Sequence, residues 1–256
     1  MDYKAPIRKF RPHILSLILF SFACLHLHAQ ENRIHYKDPY YVSKFITNAD
    51  TIYTLNIHEI QEGQTTVYYN FNNQTKLIEC QVLKGKINGP YRTWFREGNK
   101  KSEENYAEGD LDGPYVEWYN HGQIKSKGKY IHGLKDGFFE DFYAAGNLKF
   151  SGNFYKGNKE GFFTEYYENG NKRQWSEFIQ DEISKINYWR ENGNIQEKST
   201  YAYHEMFSDS LFYDNGQVKK AFNLEKDPSG KIGYWNMEGK EITKEEFDQM
   251  GCFKIP

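Results

Sequence analysis

The chain has 256 residues, among them 21 tyrosines and 19 phenylalanines, and its formal net charge at pH 7 is −2. This aromatic-rich composition, sparse in aliphatic residues, favours an all-β repeat protein over a compact enzyme with a deep aliphatic core. The near-zero net charge argues against nucleic acid as a partner, because nucleic-acid-binding domains usually carry a basic excess.

The N-terminal segment, residues 1–29, has the pattern of a secretory signal peptide. A basic start is followed by an apolar stretch over residues 14–27, and Ala29 offers a cleavage site. The apolar stretch is too short for a transmembrane helix, which needs about 20 residues. We therefore expect export to the periplasm or the extracellular space.

Cysteine positions leave a second hypothesis open, that of an outer-membrane lipoprotein anchored through Cys24. Ser21 stands three residues before it, where a lipid-attachment site usually has leucine, and this argues against lipidation. Cys80 lies early in the repeat array described below, and Cys252 lies beyond its end. In a rod these two would be far apart, so we expect solitary thiols and no disulfide between them.

Residues 30–64 lack the glycine pattern that follows and are predicted to form an N-terminal cap. A strand-like run over residues 51–57 alternates in hydropathy. Tyr53, Leu55 and Ile57 would then share one face and cover the edge of the first hairpin, as the terminal unit of a repeat array must do.

Residues 65–241 are predicted to form an array of about eight repeats. The clear units open with a glycine and close with another at Gly89–Gly98, Gly113–Gly122, Gly137–Gly146 and Gly161–Gly170, a period of 24 residues, and later units open at Ser184, Phe207 and Gly230 with a period of 23. Each unit has β-forming residues on both sides of a short polar-glycine break, which predicts a β-hairpin. Asn-Gly dipeptides at Asn169, Asn192 and Asn215 predict two-residue type I′ turns with positive φ.

With a two-residue loop, an aromatic ring would face a cation across each hairpin. The predicted pairs are Trp94 with Lys101, Trp118 with Lys125, Phe142 with Lys149, Tyr166 with Arg173, and Phe212 with Lys219. Such pairs stabilise a hairpin, so one interpretation is purely structural. The alternative is an interaction face that binds a partner, for which the first four pairs are the candidate residues. Glu117, Asp141 and Glu165 on the neighbouring strand position would partly offset its positive charge.

The opposite face of each hairpin is predicted to be buried. Its side chains recur as Tyr115, Tyr119, Ile124 and Tyr130, then Phe139, Tyr143, Leu148 and Phe154, then Phe163, Tyr167 and Phe178. A lone hairpin is unstable in water, so we expect successive hairpins to stack into an elongated, twisted sheet or rod. Residues 242–256 would form a C-terminal cap, with a short helix over residues 242–247.

No catalytic, phosphate-binding or metal-binding motif occurs. His121 occupies a turn position where other units have asparagine, and the paired carboxylates Glu103-Glu104 and Glu245-Glu246 have the character of solvated surface. We therefore expect no enzyme activity, no metal site and no cofactor.

The unit from Gly113 to Gly137, with its phased glycines, aromatics and lysine, resembles the variant MORN repeat from which the YwqK family of antitoxins is built. This resemblance covers residues 65–240 and implies stacked hairpins that bind proteins or, in some MORN proteins, membrane lipids. It implies no cofactor and no catalytic residues. Asp181, His204 and Asp227 stand where earlier units have Gly109, Gly133 and Gly157, so we expect a less regular array after Ser184.

Three functional hypotheses follow. The first is an exported, non-catalytic interaction or scaffold protein of the bacterial envelope with a protein partner. The second is an envelope module that binds lipid headgroups or glycans, with aromatic rings as stacking platforms. The third is a YwqK-like antitoxin that neutralises a toxin by protein binding. The signal peptide fits the third poorly, because an antitoxin must meet its toxin in the cytoplasm.

Overall fold

The computed structural model describes residues 32–35, 42–46, 51–70, 75–202 and 205–251. Over these residues the protein is all-β, as predicted, with one long open sheet, a separate two-stranded sheet and one α-helix. The predicted signal peptide, Cys24 and Cys252 lie outside the described residues. Within the described part of the chain, no helix has both the length and the apolar character needed to span a membrane.

The elements are numbered in chain order. The strands are β1 Asn32–His35, β2 Val42–Ile46, β3 Thr51–Leu55, β4 Gly63–Asn70, β5 Thr75–Leu83, β6 Lys86–Ile87, β7 Gly89–Trp94, β8 Lys100–Ala107, β9 Asp110–Leu111, β10 Gly113–Trp118, β11 Ile124–Ile131, β12 Leu134–Lys135, β13 Gly137–Phe142, β14 Leu148–Tyr155, β15 Asn158–Tyr166, β16 Lys172–Ile179, β17 Glu182–Trp189, β18 Ile195–Ala202, β19 Glu205–Phe212, β20 Val218–Asn223, β21 Gly233–Trp235 and β22 Glu241–Ile242. A 3₁₀ turn spans Ile57–Glu59, and α1 spans Lys244–Gly251.

The long sheet is an antiparallel meander that follows chain order from β4 to β22. Each hairpin pairs with the next, and a short strand such as β9 continues into the following long strand, since β9 and β10 both pair with β8. At the N-terminal end β1 pairs in parallel with β4, while β2 and β3 pair with each other in the separate sheet. The edge of the first hairpin is therefore covered by β1.

Turns of two kinds alternate along the meander. At one end of each hairpin the turn contains three residues: in the second clear unit, the Tyr119 N–H donates to the Gln123 carbonyl and the Gly122 N–H donates to the Tyr119 carbonyl, both at 2.8 Å. Gly122 has a φ of 90°. This is a type I turn closed by a glycine bulge, so the prediction of a two-residue type I′ turn at these dipeptides was wrong. Asn169, Asn192 and Asn215 are not among the described residues with positive φ.

Two-residue type I′ turns occur at the opposite end, where one unit passes to the next. Both residues have positive φ in Lys84-Gly85, Glu108-Gly109, His132-Gly133, Lys156-Gly157 and Gln180-Asp181. Asp181 adopts a φ of 69° and keeps the turn although it replaces glycine. The predicted irregularity is present at Asp227, which belongs to a longer loop with hydrogen bonds to Asn223 and Gly230. His204 lies outside the described residues.

The predicted buried face is confirmed for its phenylalanines. Ile124 and Leu148 were wrongly assigned to it, because a bulge pairs them with Trp118 and Phe142 on the opposite face. Phe139, Phe154, Phe163 and Phe178 are at most 9% exposed and form one cluster, and we call the face that carries them the ladder face. Their rings continue the edge-to-face series Tyr115–Tyr130–Phe139–Phe154–Phe163–Phe178, with centroids 5.0 to 5.6 Å apart. Rings in this arrangement attract each other beyond simple burial, by about 0.5–1.5 kcal/mol per pair. The series therefore joins successive hairpins into one core.

Both ends of the array have their own packing. Ile60, Val67, Leu77, Ile78, Cys80 and Val82 form an aliphatic cluster in the first hairpin, against which Leu55 and Ile57 pack. The side chain of Tyr53 lies outside the described residues. At the other end, Thr243 and Glu246 exchange side-chain to backbone hydrogen bonds, a capping box that begins α1. The Phe247 ring of α1 lies 4.9 Å from the Tyr234 ring, so the helix covers the last hairpin.

Candidate interaction surface

The predicted interaction face does not exist as one face. Trp94, Trp118, Phe142 and Tyr166 alternate with the ladder-face residues and lie on the opposite side of the sheet, which we call the tryptophan face. A bulge in each hairpin shifts the register by one residue, so that Trp118 pairs with Ile124 while Glu117 pairs with Ser126. Lys125 is the extra residue, and it points to the ladder face, where its ammonium group pairs with Glu117 at 2.8 Å.

The other predicted cations also point to the ladder face. Lys149 lies over the Tyr143 ring, Arg173 is 3.9 Å from Glu165, and Lys101 lies over the Phe95 ring. The observed partners of the aromatic residues across the hairpin are Lys100 for Trp94, Leu148 for Phe142, Lys172 for Tyr166 and Val218 for Phe212. All five predicted aromatic–cation pairs were therefore wrong by one residue, because the turn contains three residues and a bulge.

Cations do lie over the rings of the tryptophan face, but they come from neighbouring hairpins. Lys100 lies 5.3 Å from the Trp118 ring of the next unit, and the same relation joins Lys76 to Trp94, Lys127 to Phe142, Lys172 to Trp189 and Lys198 to Phe212. Each contact contributes about 0.5–1 kcal/mol at such exposed sites. These lysines hold hairpins side by side, which is a structural role for this part of the face.

Ion pairs occupy much of the same face. Glu103 accepts hydrogen bonds from Lys100 and Arg92, each at 2.8 Å, and these bonds lower its pKa. Lys127 pairs with Glu140 at 2.7 Å. These carboxylates offset much of the positive charge that this part of the tryptophan face would otherwise offer to a partner.

The exposed apolar surface is concentrated elsewhere on the tryptophan face, beside the type I′ turns. Five side chains on five successive strands, β12 to β16, alternate with ladder-face residues and are 49–60% exposed: Leu134, Phe138, Tyr155, Phe162 and Ile179. We call them the apolar strip. Trp175 extends it, since its ring stacks on that of Phe162 at 5.4 Å. Exposed apolar side chains grouped on neighbouring strands make the strip the candidate interaction surface.

The strip was missed because sequence reasoning followed residues common to every unit. Phe138 and Phe162 replace Pro90 and Pro114 of the preceding units, so the strip is confined to the middle of the array. The replacement of these prolines by phenylalanines is the sequence signal that would have identified the apolar strip. A residue type that recurs in every hairpin is explained by packing between hairpins. A residue type that is confined to two adjacent units is not explained in this way, and it is a candidate for a local function.

Catalytic or metal-binding geometry is not formed by the residues that drew attention in the sequence. The His121 ring contacts the Ala144 carbonyl at 2.9 Å, and the Glu246 carboxylate caps α1. In the described ranges, no three histidine, cysteine, aspartate or glutamate side chains come together in a way that could hold a metal ion. The Cys80 thiol is free and buried.

Comparison with known proteins finds no family model that matches the chain and no curated protein that is significantly similar to it.

Proposed function

We propose that this protein is an exported, non-catalytic interaction module of the bacterial envelope, and that the apolar strip binds a partner protein. The observation that supports this most directly is the exposure of Phe138 and Phe162, at 57% and 60%, on adjacent hairpins. Leaving such rings more than half exposed forgoes part of the stabilisation of about 1.5–3 kcal/mol that full burial of a phenylalanine brings. A partner with a complementary apolar surface would recover it.

The scaffold around the strip suits binding. The strip stands directly behind the best-packed part of the ladder face, where Phe139 and Phe163 are 2% and 4% exposed. A rigid support of this kind presents side chains in fixed positions and lowers the ordering cost of association. The fold class and the recurring turns are also compatible with MORN-type hairpin repeats, and we propose that assignment for residues 65–241.

Export is proposed from the basic and apolar pattern of residues 1–29. Cell fractionation with intact-mass measurement tests it. A species that starts at Gln30 in the envelope or medium is expected, and a diacylated species that starts at Cys24 would instead establish a lipoprotein. Full-length protein in the cytosol would contradict export and favour the toxin-neutralising hypothesis.

Partner binding is tested by quantitative crosslinking and co-isolation from envelope extracts. The double variant Phe138→Ser/Phe162→Ser is compared with the wild type and with Gln196→Ser, a change of an exposed polar residue outside the strip. We expect a protein that crosslinks to the wild type and to Gln196→Ser and is depleted with the double variant. Retention of every crosslinked protein by the double variant would contradict the proposal, as would recovery of lipid or glycan alone.

A further inference from the structure

A pocket lies on the tryptophan face at the C-terminal end of the array, over β19, β20 and β21. Its volume is about 470 Å³, which falls within the roughly 300–1,000 Å³ that is typical of small-molecule sites. Its lining includes Ser210, Ala221, Gly233 and Trp235, together with charged side chains. The pocket is separate from the apolar strip, which lies on β12 to β16.

The floor of the pocket consists of three small residues at consecutive positions across the sheet, because Ser210 pairs with Ala221 and Ala221 pairs with Gly233. At the equivalent pair of each of the five preceding hairpins, at least one residue has a long side chain, and these residues are Glu103, Lys127, Glu140, Trp175 and Lys198. The small residues therefore leave space over the last strands that long side chains occupy elsewhere on this face.

Trp235 forms one wall of the pocket. A Cβ at Gly233 would lie 2.4 Å from the Trp235 ring, so the indole lies over this glycine and a larger residue would displace it. The backbone of Trp235 is held by pairing with Glu241 and by the Tyr213 hydroxyl, which donates to its carbonyl at 2.8 Å. The half-buried indole is thus a fixed aromatic surface at the edge of a floor of small residues.

The loop between β20 and β21 forms another wall, in place of the type I′ turns that connect earlier units. The Asn223 side-chain oxygen accepts hydrogen bonds from the backbone N–H groups of Glu225 and Lys226 at 2.9 and 3.1 Å. The Asp227 carboxylate accepts hydrogen bonds from the N–H and the hydroxyl of Ser229 at 3.0 and 2.6 Å. Because these bonds hold the loop, a ligand would not have to order it.

Four charged side chains line the pocket, and their formal charges cancel. Lys226 and Lys231 are basic, and Asp227 and Glu241 are acidic. An anion would meet both carboxylates and a cation would meet both ammonium groups, so this balance favours a neutral ligand. The same side chains, with the Ser210 hydroxyl, supply hydrogen-bond donors and acceptors to a polar ligand.

We propose that this pocket binds a neutral carbohydrate, with one face of a pyranose ring against the Trp235 indole and the sugar hydroxyls bonded to the charged side chains. The C–H groups on the face of a pyranose are attracted to the negative face of an aromatic ring. Each sugar hydroxyl both donates and accepts hydrogen bonds, which matches a lining of ammonium and carboxylate groups. The site shares no residue with the apolar strip, so it stands independently of the function proposed above.

Titration of the wild-type protein with small probes tests this chemistry, with the indole N–H signals followed by NMR. The probes are the disaccharides cellobiose, maltose, lactose and chitobiose, the acyclic polyol sorbitol, and the nucleoside uridine. We expect saturable shifts of the Trp235 signal with at least one disaccharide, none with sorbitol or uridine, and none at Trp94 with any probe. Binding of none of the disaccharides would overturn the proposal, as would equal binding of sorbitol or binding of uridine alone.

A matched pair of variants locates the site. Ala221→Lys fills the floor with a residue that the sheet already accommodates at the equivalent positions Lys127 and Lys198. We expect it to weaken disaccharide binding by about tenfold or more, because the added side chain occupies the space of the ligand. Ser151→Lys makes the same change at the equivalent position of an earlier hairpin and should leave binding unchanged. Unchanged binding by a folded Ala221→Lys variant would overturn the proposal, and the wild-type titration decides it without any variant.

Discussion

The Tyr143 hydroxyl donates a hydrogen bond of 2.7 Å to the backbone carbonyl of Tyr166 in the next hairpin. The same bond joins Tyr119 to Phe142, Tyr167 to Trp189 and Tyr213 to Trp235. Arg190 replaces the tyrosine of one unit, and its guanidinium donates to the Phe212 carbonyl at 2.8 Å. The bond persists although the residue changes, so this edge of the sheet depends on a side-chain link between consecutive units.

Replacement of Tyr143 by phenylalanine removes that link and little else. We expect Tyr143→Phe to lower the free energy of unfolding by about 1 kcal/mol, the typical net contribution of one hydrogen bond. Urea denaturation measures the change. Tyr155→Phe is the control, because the Tyr155 ring is 58% exposed and its stability effect should be small. Equal effects of the two variants would show that the hydroxyl bond does not join the units.

Glycine at position 152 is required by the ring that packs on it. A Cβ on Gly152 would overlap the Phe163 ring. We expect Gly152→Ala to destabilise the protein by about 1–3 kcal/mol, the usual cost of overpacking. The same change in a Phe163→Leu background should cost less, since the ring is absent, and a double-mutant cycle measures this coupling. Strictly additive effects would contradict the packing account.

In the three-residue turn, Ala145 and Gly146 have different backbone conformations. Gly146 has a φ of 94°, a region that L-residues rarely adopt, so Gly146→Ala should cost about 1–2 kcal/mol. Ala145 is not among the residues with positive φ, and Ala145→Gly should destabilise by about 0.4–1 kcal/mol through added freedom in the unfolded chain. Thermal or urea unfolding compares the two. A stabilising Ala145→Gly change would instead indicate the type I′ turn that the sequence suggested.

The buried thiol of Cys80 gives a prediction for alkaline pH. Burial raises its pKa from 9.0 to about 12, with a further contribution from Glu79. The unfolded thiol therefore ionises at lower pH than the folded one, and stability falls as pH rises between these values. We expect Cys80→Ala to reduce this fall, as measured by urea denaturation at several pH values. We also expect iodoacetamide to alkylate Cys80 at pH 8 much faster in urea than in buffer, and equal rates would contradict burial of the thiol.

The sequence predicted the all-β class and the buried face because both depend on alternation, which is a local property. Tyr115 and Phe139 occupy equivalent positions in successive hairpins, and both lie on the buried face whichever turn connects the strands. The short C-terminal helix could also be anticipated from Lys244, Glu245 and Glu246, and Thr243 provides its cap.

The sequence did not predict the pairing beside each turn, because that pairing depends on one residue in the turn. An Asn-Gly dipeptide is compatible with both turn types, and the choice between them moves Lys125 from one face to the other. Ala145 was the informative exception, since alanine in a central position of a type I′ turn would require unfavourable positive φ. The apolar strip was missed for a related reason, since it occurs where individual units depart from the repeat.

The most direct test of the proposed function is site-specific photocrosslinking in intact cells, with a photoreactive phenylalanine analogue placed at Phe162 in one protein and at Gln196 in another. The account predicts one discrete protein adduct from position 162, none from position 196, and loss of the adduct when Phe138 is also changed to serine. The absence of a position-specific protein adduct at 162, with export and folding intact, would contradict the claim that the apolar strip binds a partner protein.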